Sequence, residues 1–330
     1  MMRLLRRARS AYGDGGIRGL SQRVVAYLSR YVTGGLSSRP RLEPISGLLR
    51  PVYNTIFRVK YGRGVDIMEE EWDTLILLDA CRFDDFAARN HLTGQLESRL
   101  SAGADSREFI QANFMGRELH DCVYVTANPH VHLVDDGVFH AVLDEPLSQW
   151  DAEVQCVRPE VVTEAALRAH ERFNDKRIIV HYMQPHDPPL GPTGDQLREE
   201  MRVAGPGEDP TGKRLFEAVA SGDVSVERAR KAYCETLDLA LGEVETLLQA
   251  VEGRVVVSAD HGEMFGESPY PLLGELYEHA RHPRTEELCQ VPWLVVEGES
   301  RRGITSSPPK ENSFTTDPDI EAKLEALGYK

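Results

Sequence analysis

Twice in this chain a short apolar run ends on an aspartate: TLILLD at 74–79 and VVVSAD at 255–260. A strand-length run with no polar interruption has no solvated side, so it belongs in a sheet covered on both faces. Asp79 and Asp260 then lie just past the carboxyl ends of buried strands, where open α/β sheets collect their ligands. The second run continues into His261, Gly262 and Glu263. A carboxylate beside an imidazole at such an edge suits a divalent metal ion, and Gly262 lets the backbone turn sharply enough to present both. By itself DHGE is as readily a plain turn after a strand.

The rest of the chain supplies more elements of the same kind. Further strands are expected at 99–101, 122–126 (CVYVT), 177–183 (RIIVHYM) and 291–296. Helices are expected around Ala87 and Ala88, through REFIQANF after Gly103, over 161–173, and over 226–251, where Ala229, Tyr233, Leu237, Leu241, Val244 and Leu248 keep helical spacing. Strands separated by helices predict an α/β chain with a mostly parallel sheet. The stretch QPHDPPLGPTGD after the fourth strand reads as an irregular loop because Pro and Gly crowd it, and His186 lies inside it. Asp79, His186, Asp260 and His261 thus come from three strand ends and converge on one rim. Oxygen ligands with imidazole suit Zn, Mn, Mg or Ca, one ion or two.

Composition narrows the partners. With 38 basic and 53 acidic residues the net charge is −15, which excludes nucleic acid as a main partner because phosphate contacts need clustered cations. Five cysteines stand singly without a CxxC pair, the pattern of reduced thiols in the core. No uninterrupted apolar stretch reaches spanning length and no signal-peptide core opens the chain, so a soluble cytoplasmic protein is expected. Residues 1–32 are Arg-rich, and Ile17, Leu20, Val24, Leu28 and Val32 recur at helical spacing. Such a helix either packs on its own domain with a solvated basic face or lies on an anionic membrane surface, giving peripheral contact. Residues 33–51 read as linker and the polar segment 299–318 as a mobile tail, which sets expected divisions at 1–50, 51–300 and 301–330.

In order, LILLDACRFDDF, HYMQPHDPP, SADHGE, EHARH before QVPWLVV, and the closing IEAKLEALGY resemble the alkaline phosphatase superfamily in its sulfatase-like branch. The resemblance implies an alkaline-phosphatase-like α/β/α sandwich and a metal-dependent hydrolase of phosphate- or sulfate-type esters. It also leaves room for a phospho-group transferase acting on a glycan or lipid, and for a catalytically silent relative serving as a binding or scaffold protein. It makes Asp79, Asp260 and His261 metal ligands, and gives His186 and His279 contact with substrate or a second metal, His282 being the alternative to His279. The substrate would be a small-molecule, glycan or lipid ester. The CxPxR-like motif of sulfatases is absent and Ala80 follows Asp79 where an Asp pair is usual, so the pattern is closer to members using Ser or Thr. In the family that nucleophile opens a helix a few tens of residues after the first strand, which points to Ser106, with Ser101 in reserve. Local sequence alone favours reading Ser106 as a helix cap, with Asp105 sharing the role. Arg82 is a candidate for holding a nonbridging oxygen of the substrate, or an ion-pair partner of Asp84 or Asp85.

Overall fold

In the computed structural model, residues 43–201, 214–271, 273–279, 282–310 and 320–327 are described below. The basic segment 1–32 lies outside them. Residues Ile45–Lys330 cluster as one compact unit, and the other unit, Met1–Pro44, falls almost wholly outside the described residues.

TLILLD does form a strand, β1 (Thr74–Asp79), with Leu75 to Leu78 fully buried. It is the middle of seven strands, flanked by β5 (Arg177–Pro185) and β6 (Val255–Ala259), both parallel to it. Beyond β5 come β3 (Leu119–Thr126) and β4 (Phe139–Leu143), also parallel. Beyond β6 come β9 (Gln290–Val296), which runs antiparallel, and β2 (Gln95–Leu100) at the edge. The α/β architecture with a mostly parallel sheet is therefore present, with one reversed strand.

Neighbouring residues of β5 show the layering, because successive strand side chains point to opposite faces. Tyr182 meets Thr163 of the helix α4 (Pro159–Arg172) at 2.8 Å. His181 faces the other way, with its ring 6.5 Å from Phe109 of α3 (Ser106–Asn113). The long helix α7 (Val226–Ala250) packs beside α4 on β5, burying Leu237, Leu241 and Val244. Helix, sheet and helix thus form three layers, an α/β/α sandwich.

Four expectations change. Helix α1 (Glu43–Tyr61) takes in residues 43–51, read from sequence as linker; Pro51 is accommodated inside it. The expected loop after β5 is cut short by a helix, α5 (Pro192–Met201), that starts on a proline, whose missing N–H costs nothing in a first turn. Residues 301–310 of the expected mobile tail are pinned: Thr305, Ser307 and Lys310 donate backbone N–H bonds of 2.9, 3.2 and 2.8 Å to the carbonyls of Asp175, His120 and His140. Helix α9 (Ile320–Ala326) carries buried Leu324, and Lys323 donates to the carbonyl of Leu147 at 2.7 Å. The strand β4 and the small hairpin β7 (Phe265–Glu267) with β8 (Leu276–Tyr277) are additions, too short or too mixed in polarity to be read from sequence. All five cysteines are free, four of them buried. Among the described residues no helix is long and apolar enough to cross a membrane.

Candidate active site

The carboxyl ends of β1 and β6 set two carboxylates side by side. After Asp79 the chain bends through Ala80, whose φ of +58° is the left-handed region. A non-glycine residue held there is strained, and such residues gather where a site demands a particular backbone path. The strained turn serves Asp260 directly, since its Oδ1 accepts the N–H groups of Ala80 at 3.2 Å and His261 at 2.8 Å. Gly262 differs from expectation in detail. Its need for glycine is one of close approach, because a Cβ there would lie 2.0 Å from the carbonyl oxygen of Glu287.

The structure separates the two serines. Ser101 donates to the backbone carbonyl of Asp260 and accepts from Gly103 N–H at 3.1 Å, so its hydroxyl braces the turn. Ser106 is the first residue of α3, and the cap of that helix is Asp105, whose carboxylate accepts from Glu108 N–H at 2.8 Å. The Ser106 hydroxyl is left to the rim: it donates to Asp260 Oδ2 at 2.6 Å and lies 3.3 Å from both Asp79 Oδ2 and His261 Nε2. Ser106, Asp79, Asp260 and His261 are all fully buried.

Asp79, Asp260 and His261 each offer a ligand atom, all within 4.8 Å of one another. Two carboxylates this close and this buried repel unless a cation lies between them. The imidazole of His261 lies between them, with Nε2 3.4 Å from Asp79 Oδ1 and 3.5 Å from Asp260 Oδ2. Burial alone would make His261 hard to protonate, but the two carboxylates outweigh it and push its pKa up to about 10. Burial would likewise raise Asp260, and His261, His181 and Ser106 together hold it below the usual carboxylate range. The donor set therefore fits a divalent ion, whose charge would balance the two carboxylates.

Two further imidazoles named from the sequence stand beside this centre. The ring of His279 lies 4.4 Å from that of His261, and the ring of His186 lies 5.0 Å from that of His279. Burial, reinforced for His279 by the neighbouring His261, keeps both from protonating, His186 down to about 3. Their Nδ1 atoms meet acceptors, Glu263 at 3.2 Å for His279 and the Asp187 carbonyl at 2.5 Å for His186, which makes Nε2 the lone-pair nitrogen of each ring. His282 turns to the Tyr277 carbonyl at 2.6 Å and does not join the cluster.

Arg82 does not join it either. Its guanidinium is spent on Asp84 through two bonds of 2.8 Å, on the Glu263 carbonyl at 3.1 Å and on Glu267 at 2.5 Å. The ion-pair reading of this arginine is the one the structure shows. Sequence reasoning missed two residues. Asn128 follows β3, and with Oδ1 accepting from His130 N–H at 2.8 Å its amide nitrogen is fixed toward Asp79 Oδ2 (2.8 Å) and Ser106 Oγ (3.0 Å). The strand-end rule that flagged Asp79 would have found it, had amides been counted with acids. His181 lies inside β5, where no motif marks it. Its Nδ1 accepts from the Tyr124 hydroxyl at 2.8 Å, which directs Nε2–H toward Asp260 Oδ2 at 3.5 Å.

No family model matches this chain, and no curated protein does. Solved structures do. The soluble domain of lipooligosaccharide phosphoethanolamine transferase A from Neisseria meningitidis is 12% identical over 67% of this chain and 75% of its own, with a TM-score of 0.42. A phosphonate monoester hydrolase from Silicibacter pomeroyi is 13% identical over 77% of this chain and 72% of its own, TM-score 0.39. An alkaline phosphatase superfamily protein from Vibrio parahaemolyticus is 14% identical over 78% of this chain and 67% of its own, TM-score 0.38. The last is described as a protein of the superfamily that the motifs resemble, and at such distance the chemistry of the site rests on its own residues.

Proposed function

We propose that this protein is a metal-dependent enzyme that takes a phosphate- or sulfate-type group from an ester onto Ser106 and passes it to water. One observation carries the reading: a buried serine hydroxyl, relieved of capping by Asp105, faces two carboxylates and an imidazole at 2.6–3.3 Å. Asp79, Asp260 and His261 would hold the ion, and His186 and His279, with Nε2 as lone-pair nitrogens, suit a second ion or the transferred group. A divalent ion in such a site lowers the pKa of a neighbouring hydroxyl and neutralises charge on the group in transfer.

The chain's own residues orient the attack. Asp260 takes the Ser106 hydrogen in its hydrogen bond, which turns an Oγ lone pair away from that carboxylate. The Ser106–phosphorus or Ser106–sulfur bond forms as the bond from phosphorus or sulfur to the ester oxygen breaks; the Ser106 proton passes to Asp260, the leaving oxygen takes one up from solvent, and the N-terminal dipole of α3 favours the anion beside it. Asn128 presents its amide N–H toward the same oxygen and is placed to donate to a nonbridging oxygen as charge builds there. Water then displaces the group from Ser106. An acceptor alcohol on a glycan or lipid could do so by the same displacement, which would make the protein a transferase.

The test is turnover of aryl phosphate, aryl phosphodiester and aryl sulfate by the metal-loaded protein, with acid quench and peptide mass spectrometry. We expect a modified Ser106 peptide from wild type and near-complete loss of turnover in Ser106→Ala with the fold retained. Unchanged turnover in that variant would reject a serine intermediate, and no turnover of any ester by wild type would favour the binding or scaffold reading.

A further inference from the structure

Helix α1 presents two unlike faces. Its inner face is packed: Phe57 is buried with Ala104 and Met264, the Tyr53 ring stacks 4.3 Å from that of Tyr270, and Asn54 accepts from Arg284 N–H at 2.7 Å. Its outer face carries Val52, Ile56 and Val59, exposed by 41%, 38% and 67%. These three fall at i, i+4 and i+7, one stripe of a helix. Charge on this helix runs against the rest of the chain. The helix holds Arg50, Arg58 and Lys60 against one acid, Glu43 at its first position, and Arg63 follows it, in a protein of net charge −15. Arg58, Lys60 and Arg63 are exposed, and Arg58 and Lys60 flank the stripe.

We infer that the outer face of α1 is a docking surface for an anionic lipid bilayer. An apolar stripe bordered by cations lets the aliphatic side chains enter the headgroup region while the cations meet lipid phosphates. A second copy of this chain fits poorly, since a two-fold contact through the stripe would press these cations against their own counterparts. Three aliphatic side chains also make a smaller surface than stable protein interfaces use. The inner face gives the docking a consequence. Ala104 stands two residues before Ser106, and Tyr270 and Arg284 bracket the segment bearing His279, so the helix that would rest on lipid is the one clamped on the loops of the site. On the reading proposed above, the ester it selects is carried on a lipid headgroup.

The test is co-sedimentation of the full chain with phosphatidylcholine vesicles, with and without phosphatidylglycerol, at low and high salt and without substrate. Wild type should pellet with the anionic vesicles at low salt and be released by high salt, because exposed charges are screened within a Debye length. The doubly substituted Ile56→Glu, Val59→Glu protein should lose about tenfold or more in vesicle affinity, while its circular dichroism and its turnover of a soluble aryl ester stay unchanged. Equal binding by this variant, absence of wild-type binding, or binding abolished only by deleting residues 1–42 would overturn the inference. So would a concentration-dependent dimer that the same substitutions dissolve. Vesicle binding is read without chemistry, so its failure is distinguishable from failure of the serine mechanism.

Discussion

Strand β1 begins and ends beside a buried aspartate, and the two could hardly be treated more differently. Asp73, at the amino end, accepts from Arg254 N–H at 2.8 Å and from the Arg301 guanidinium at 2.8 and 3.1 Å. Gly253 (φ +95°) leaves room for it, since a Cβ there would lie 2.5 Å from Asp73 Oδ2. Burial would raise its pKa, and Arg301 with the backbone donors more than reverses that, so Asp73 is held below its ordinary value. Asp79, six residues on, faces a second carboxylate, a hydroxyl and an imidazole. An acid saturated by donors and a guanidinium closes a structure. An acid set against another acid stores an electrostatic demand that a cation can meet, and that is the signature of a site.

The largest expected effect comes from removing the second acid. Asp260→Ala should stay folded, lose bound metal, and lose activity by about a thousandfold or more, read by metal analysis and turnover. A fully metallated, active variant would erase the contrast between the two ends of β1. At the other end, Asp73→Ala should cost about 3 kcal/mol of stability, because the backbone and guanidinium donors lose their acceptor in a buried place. Activity per folded molecule should be unchanged. The charge-linked part of the Asp73 contribution is present above the ordinary carboxylate pKa and is lost as pH falls below it through the lowered folded-state value, so the gap between wild type and variant should narrow in acid denaturation. Asn128→Ala should be smaller again in free energy, about a hundredfold in kcat with little change in melting temperature.

Residues whose environment is local were legible in the sequence. TLILLD and VVVSAD had to be strands buried on both faces, and the acids after them had to reach the rim. The same rule carried no weight for His181, because a histidine inside RIIVHYM looks like any core position until Tyr124 and Asp260 are brought beside it from other strands. Ser106 and Ser101 could not be separated for the same reason: which hydroxyl turns inward depends on Asp105 taking the cap and on the Asp260 carbonyl claiming Ser101. Arg82 was ambiguous until Glu267 arrived from a hairpin too short to be read. The helical part of the expected linker was hidden because Pro51 and Gly47 break periodicity locally, while Phe57 and Tyr53 hold the helix through distant partners.

A third acid, Asp187, stands between the two cases. Asp187 is buried beside the site, where it accepts from the backbone of Leu215 and feels Arg214 and Arg198 through charge. Burial drives its pKa up to about 6, Arg214 holding it down in part and Glu263 adding to the rise. A folded-state pKa above the unfolded one means that the native protein keeps this proton where the unfolded chain has already lost it. The associated stability is therefore fully present below about pH 4 and is lost as pH rises through about 6. Asp187→Asn cannot ionise and escapes that loss. The variant should match wild type near pH 4 and become more stable by about 2 kcal/mol at pH 8, the displacement of about two pKa units being partly relieved by local relaxation. Urea unfolding of both proteins across that range measures it. A constant difference between them at all pH values would mean that the donor and cations around Asp187 offset its burial, and would move it to the structural side of the contrast.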